Sequence, residues 1–334
     1  MALETLPLLT DRYQRRIENL RISVTDRCDL RCFYCMPEDV EWLPRKALMS
    51  FEEIERVARL AVAAGTRRLR LTGGEPLLRK DLPRLISKLA AIPGLQDLAL
   101  TSNATQLERL APSLVQAGLR RVNVSLDSLD AENFHSLTRR DVHAQVMAGI
   151  DAADAAGLRP LSINCVVVRD RNDHEAVDFA RLARERGFDV RFIEFMPLEH
   201  GSHWGTDVMV PGKELLERIG EVFPLQPDPD QDPHAPSRDW VFADGAPGSV
   251  GFIDSVTEPF CSMCNRIRLT ADGKIRTCLF SLREHDLLGA VRAGADDEAV
   301  TDLLHAAVAT KEKKHHITDG MYVKPDRTMS QIGG

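Results

Sequence analysis

No apolar run in this sequence approaches the ~20 residues needed to cross a bilayer; the longest, such as Leu161 to Val168, fall well short. Nor is there an excess of positive charge. Lys and Arg number 43 against 50 Asp and Glu, for a net charge of −7. The chain as a whole therefore has no electrostatic grip on nucleic acid or anionic membrane, and any anionic ligand must be held by locally gathered cations. The opening MALETLPLLTDRYQRR lacks the order of a secretory signal peptide, because its basic residues follow the weak apolar stretch. A cytoplasmic setting is the expectation. Pro and Gly, 18 and 21, are too few for a fibre or a disordered tail. With 43% hydrophobic residues, 334 positions suffice for one large core or two ordinary ones.

Cysteine is what the chain holds in an unusual arrangement. Six of the seven fall into two tight groups, Cys28, Cys32, Cys35 and Cys261, Cys264, Cys278. In a reducing compartment such clustering reads as metal binding, since a disulfide framework belongs to small secreted chains. Cys165, in Ile163-Asn164-Cys165-Val166-Val167, reads as a small buried apolar residue.

From Arg21 to about Met196, short β-rich runs alternate with amphipathic helical stretches, the pattern of repeated βα units. Six strands are expected: 21–25, 67–72, 97–102, 121–126, 161–168 and 189–196. Ser50 and Glu53 predict a capping box at the first helix. Gly65, Gly118, Gly157 and Gly187 follow helical patterns, where a left-handed turn ends a helix. No GxGxxG follows the first strand, which weakens a dinucleotide-binding sheet. The reading is an α/β fold, an incomplete (βα)6 TIM-like barrel whose strand ends carry the unusual residues. The division expected is an N-terminal arm over 1–20, the partial barrel over 21–223 and a smaller C-terminal region over 224–334. Residues 224–239, rich in Pro and Asp, read as a surface loop. Ala271-Asp272-Gly273 predicts a hairpin between 265–270 and 274–280; a two-residue Asp272-Gly273 turn sets Cys278 opposite Ile267.

The first trio is C-x3-C-x2-C directly after the first strand. Three thiolates are one short of a closed zinc site, and no histidine precedes His135. On a 4Fe-4S cluster, three cysteines leave one iron open to an outside ligand. A zinc completed by a distant residue is the competing reading, and it is stronger for the second trio, C-x2-C-x13-C. Arg266 and Arg268 leave one face of the strand beside that second trio, as Arg68 and Arg70 do around Leu69. Inward guanidinium groups on strands are costly unless an anion meets them, and their forks suit phosphate.

The first trio with Tyr34 before its last cysteine, followed by Gly73-Gly74-Glu75-Pro76 after the next strand, resembles the radical S-adenosylmethionine superfamily. Joined to Arg21-Ile22-Ser23-Val24-Thr25-Asp26-Arg27-Cys28, VNVSLDSLD, FCSMCNRIRLTADGKIRTCLF and a terminal Gly-Gly, it resembles the GTP 3′,8-cyclase family of molybdenum cofactor biosynthesis over nearly the whole chain. That resemblance implies two 4Fe-4S clusters, one on Cys28, Cys32 and Cys35 and one on Cys261, Cys264 and Cys278. It implies S-adenosylmethionine contacts from Tyr34, Gly74, Ser125 and Met196, and GTP contacts from Arg21, Arg70, Thr101, Ser162, Arg266 and Arg268. Ser162 stands where the family usually has a lysine, so a neighbouring arginine such as Arg159 is expected to substitute. The tail is implied to be catalytic through Gly333 and Gly334. Implied partners are GTP, an external one-electron donor, a downstream cyclic pyranopterin monophosphate synthase and a second copy in a homodimer, with neither nucleic acid nor membrane. The alternatives at this point are a peptide-modifying radical enzyme with an auxiliary cluster and a zinc-stabilised binding module.

Overall fold

A computed structural model describes residues 6–198, 204–317 and 322–333. Six βα units run β1 (Asn19–Ser23), α1 (Phe51–Ala63), β2 (Arg68–Thr72), α2 (Leu82–Ala90), β3 (Asp97–Ser102), α3 (Leu107–Gln116), β4 (Arg121–Ser125), α4 (Ala131–Thr138), α5 (His143–Ala155), β5 (Leu161–Val167), α6 (Ala176–Arg186) and β6 (Asp189–Glu194). The remainder comprises α7 (Gly212–Gly220), β7 (Leu225–Pro227), β8 (Arg238–Phe242), β9 (Ser249–Ile253), β10 (Arg266–Leu269), β11 (Lys274–Arg276), β12 (His285–Asp286), α8 (Leu287–Arg292), α9 (Asp297–Ala309) and α10 (Met329–Ile332).

Local chemistry accounts for the boundaries. Ser50 Oγ accepts from the Glu53 amide at 3.1 Å while the Glu53 carboxylate accepts from the Ser50 amide at 2.7 Å, so the capping box opens α1. The four helix-ending glycines all take positive φ.

Among the described residues, all twelve strands join one sheet in the order β12-β11-β10-β1-β2-β3-β4-β5-β6-β9-β8-β7. The six expected strands are parallel neighbours in sequence order, and the C-terminal residues extend them at both edges. β9 lies parallel to β6 and β10 parallel to β1. The arc of parallel strands is thus wider than six, and it stays open between its antiparallel ends.

The pleat separates two environments. Outward residues such as Leu20, Ile22, Leu69, Leu71, Val122, Val124, Ile163 and Phe192 pack with the helices in one continuous core, which also takes Leu9 and Ile17 of the N-terminal arm and Cys165. Inward residues at the alternate positions, including Arg21, Arg70, Thr101, Asn123, Asn164 and Arg191, face a polar interior. Parallel strands covered on both faces usually read as unbroken apolar runs. Alternation here reports that one covered face is a chemical site.

The hairpin departs from expectation by one residue. Thr270 and Lys274 pair around a three-residue turn, with Gly273 at φ 71°, and Arg268 lies opposite Arg276. That register points Cys278 toward Arg266 rather than Ile267. A single left-handed glycine after a type I turn forms this three-residue loop, whereas a two-residue turn of type I′ needs positive φ at both positions, including Asp272.

Candidate active site

The C-terminal ends of the barrel strands and the segments flanking the β10–β11 hairpin enclose a cavity of about 580 Å³. Both cysteine trios line it, and so do Tyr34, Gly74, Thr101, Ser125, Met196, Arg21, Arg70, Arg266 and Arg268. All the cysteines are free thiols.

The loop after β1 is clamped against the loop after β2. The Gly74 and Glu75 amides donate to the Thr25 and Arg27 carbonyls at 2.9 and 2.7 Å. A Cβ on Gly74 would stand 2.3 Å from the Arg27 oxygen, so glycine is what allows the two backbones to meet. Glu75 is buried beneath them, accepting from the amides of Leu77 and Asn103 and from the Ser102 hydroxyl. Burial nevertheless pushes its carboxyl up to about 8. Asn103 Nδ2 and Thr105 Oγ1 donate to Asp29, each at 2.7 Å, fixing the residue next to Cys28. Tyr34 donates its hydroxyl to Asp127 at 2.6 Å, and Asp127 also accepts from the Val166 amide. Burial drives all three thiols upward, with Glu75 adding to Cys28 and Asp127 to Cys32, and Cys35 reaches about 12. These thiols would ionise readily only against a strong cation such as a metal.

At the second trio, Cys261 and Cys264 precede β10 and Cys278 follows β11. Arg15 donates to the Cys261 carbonyl at 2.6 Å and is itself paired with Asp11. Burial raises the Cys261 and Cys278 thiols. At Cys264 burial acts in the same direction, but Lys311 and Arg266 outweigh it and hold the thiol down at about 6.

Along the interior, Arg21 lies in register between Arg70 and Arg268. Burial and mutual repulsion hold Arg21 and Arg70 well below the usual guanidinium value and Arg268 at about 10. Arg68 is paired with Asp232 and Arg121 with Asp97. Among the described residues no carboxylate pairs with Arg21, Arg70, Arg266 or Arg268. An incoming polyanion would relieve four uncompensated cations at once.

Ser162 is fully buried and does not line the cavity; its hydroxyl faces Asp189 at 3.4 Å. Arg159 is half exposed and pairs with Asp154, so it does not replace the missing lysine. The arginine on the interior face is Arg191, on β6 beside Asn164, with 3.5 Å to Asp189. Sequence reasoning missed it, although the inward phase of Asp189, Arg191 and Ile193 was the available signal.

The tail enters the site. Met329 and Ser330 line the cavity, Ile332 is fully buried, and the Gly333 carbonyl accepts from Arg268. A Cβ on Gly333 would stand 2.4 Å from Ser23 Oγ. Gly334 lies outside the described residues.

A βα barrel with C-x3-C-x2-C after its first strand and a glycine pair clamped beside it defines a radical S-adenosylmethionine enzyme. The Radical SAM superfamily profile matches residues 22–183, and Molybdenum Cofactor Synthesis C matches 188–317. A GTP 3′,8-cyclase of Moorella thermoacetica is 47% identical over 98% of this chain and 100% of its own length. One from Pseudomonas putida is 46% identical over 98% of each, and one from Rhodopirellula baltica 44% over 98% and 92%. The chain belongs to the GTP 3′,8-cyclase family. Among solved structures, Streptococcus suis SuiB shares the fold at a TM-score of 0.61 and 15% identity, over 89% of this chain and 67% of that one. Native anSMEcpe with bound AdoMet does so at 0.59 and 15%, over 90% and 82%. Membership implies one 4Fe-4S cluster and S-adenosylmethionine, and the first trio, three thiols around one cavity wall, fits a cluster that takes each cysteine on a different iron.

Proposed function

We propose that this chain converts GTP into (8S)-3′,8-cyclo-7,8-dihydroguanosine 5′-triphosphate, the first step of molybdenum cofactor biosynthesis. One observation carries the reading: two cysteine trios and four uncompensated arginines face the same cavity. A peptide substrate gives no reason for that charge. The second trio takes a second 4Fe-4S cluster; like the first, it offers three cysteines, one short of the four ligands of a closed zinc site.

A reduced cluster held by Cys28, Cys32 and Cys35, with S-adenosylmethionine beside it, would supply the radical chemistry for hydrogen abstraction at C3′ of GTP. The chain's own part is placement. Cys28, Cys32 and Cys35 hold the first cluster, and Tyr34, braced by Asp127, contacts the cofactor with Gly74, Ser125 and Met196. Arg21, Arg70, Arg266, Arg268 and Arg191 hold the triphosphate, and Thr101 contacts the nucleotide. Orientation of this kind is the protein's share when a cofactor carries the difficult step. Gly333, whose carbonyl accepts from Arg268, helps close the cavity against water and stray hydrogen donors, and the reading gives Gly334 a catalytic part with it. The reading further includes an external one-electron donor, a cyclic pyranopterin monophosphate synthase acting on the product, a homodimer and a cytoplasmic setting. No helix among the described residues is long and apolar enough to cross a membrane.

The test is anaerobic reconstitution followed by product analysis with and without GTP. GTP-dependent consumption of S-adenosylmethionine, with 5′-deoxyadenosine and the cyclised nucleotide formed together, is the expected result. S-Adenosylmethionine cleavage indifferent to GTP defeats the proposal.

A further inference from the structure

Lys311 is only 2% exposed and follows α9, behind the second trio rather than on the cavity wall. Its ammonium donates to the Arg266 carbonyl at 2.9 Å and to the Thr277 carbonyl. The first belongs to the residue two after Cys264, the second to the residue before Cys278. Lys311 therefore ties together the two chain segments that carry these cysteines. The two carbonyls take two of its protons but do not neutralise its charge, and among the described residues no carboxylate pairs with it. A buried ammonium left without a counter-charge is among the costliest groups a fold can hold.

The neighbouring charges are otherwise engaged. Arg15, which holds the Cys261 carbonyl, has Asp11 as its counter-ion. Arg266 opens onto the cavity, where substrate phosphate competes for it. Glu312, next along the chain, turns to the hydroxyls of Thr277 and Ser281. The counter-charge left for Lys311 is that of a group held by Cys264 and Cys278, whose chain segments its ammonium ties together.

We infer that Lys311 is a positioning and charge-setting residue for a cluster on Cys261, Cys264 and Cys278, bracing its ligand strands and raising its reduction potential. The inference rests on the second cluster proposed above. Adding an electron makes such a cluster more negative, so a fixed cation at close range in a low-dielectric interior stabilises the reduced form more than the oxidised one.

The experiment is a dithionite redox titration of the full-length, anaerobically reconstituted protein, followed by EPR with the first cluster as internal reference. In Lys311→Met, and in Lys311→Gln, which keeps amide donors without the charge, the second cluster's midpoint is expected to move to more negative potential while the first stays in place. A purely structural lysine would not move the potential of a fully loaded protein. An unchanged second midpoint at full iron content overturns the inference. So does failure of Lys311→Gln to fold, because that loss would report packing rather than charge. Iron for only one cluster in the wild-type protein overturns the second cluster itself, and the role of Lys311 with it.

Discussion

Side by side on β10, β1 and β2, Arg268, Arg21 and Arg70 show how a single residue type can state the charge of an absent ligand. Replacing both Arg266 and Arg268 by alanine should weaken GTP binding, each charge-assisted contact being worth about 1.5–3 kcal/mol; calorimetry on the cluster-loaded protein checks it, and undiminished affinity places the triphosphate elsewhere. Ser162→Lys should not tighten GTP binding, because the site is closed around a small hydroxyl and the extra bulk costs ~1–3 kcal/mol of stability. Chemical denaturation of the two proteins measures that loss. A third residue sets a pH dependence. Burial pushes the Asp127 carboxyl up from 3.8 to about 6, against the Tyr34 hydroxyl and Val166 amide that favour its charge. The folded chain thus keeps a proton that the unfolded chain releases. The associated stability is full below pH 3.8 and is lost as pH rises through about 6, an effect of order 2–3 kcal/mol. Urea unfolding of the metal-free protein at pH 5 and pH 7.5 should show a smaller difference for Asp127→Asn than for wild type. The cysteines announce themselves by spacing, but Arg191 and Lys311 do not. One is an arginine in a strand that also carries the carboxylates Asp189 and Glu194, the other a lysine in a polar stretch whose burial depends on contacts with β10 and the segment before Cys278.

The βα elements were readable because each carries its own signal, such as the Ser50 and Glu53 cap or the apolar stripe of Ile54, Val57, Ala58 and Ala61. β9 and β10 were harder. Their parallel partners β6 and β1 are distant in sequence, and a strand of four or five residues contains nothing that names its neighbour. The one-residue slip at the hairpin has a similar origin, since Asp-Gly permits two turn lengths and the φ of Asp272, negative here, decides between them. Short α10 was read as a functional tail rather than as a helix, and its capping box of Thr328 and Gln331 now explains how the last residues are aimed. Removing Gly333 and Gly334 should leave both clusters and the fold intact, since Ile332 still plugs the core, yet strongly reduce cyclisation of GTP. Product formed at the full-length rate, with the same S-adenosylmethionine cleavage per product, would show the tail to be dispensable.

For the molecule as a whole, both trios line one cavity, and on the proposed reading their two clusters share one reaction. Cys28→Ser should abolish S-adenosylmethionine cleavage, whereas Cys264→Ser should leave the first cluster spectroscopically intact while GTP conversion stops. Iron analysis, EPR and product assays together decide this, and full activity in both variants would remove the assignment. The open sheet carries a further consequence, in time. Asn19 donates to Asn265 across 246 residues, and β10 sits beside β1. At about 5–20 residues per second of synthesis, the first strand emerges with one edge bare and waits on the order of ten to fifty seconds for its partner. Until then the half-made barrel offers unpaired amides and carbonyls to any passing strand. Ribosome pausing ahead of residue 266 should therefore favour aggregation, and a chain cut before β10 cannot close the edge beside β1.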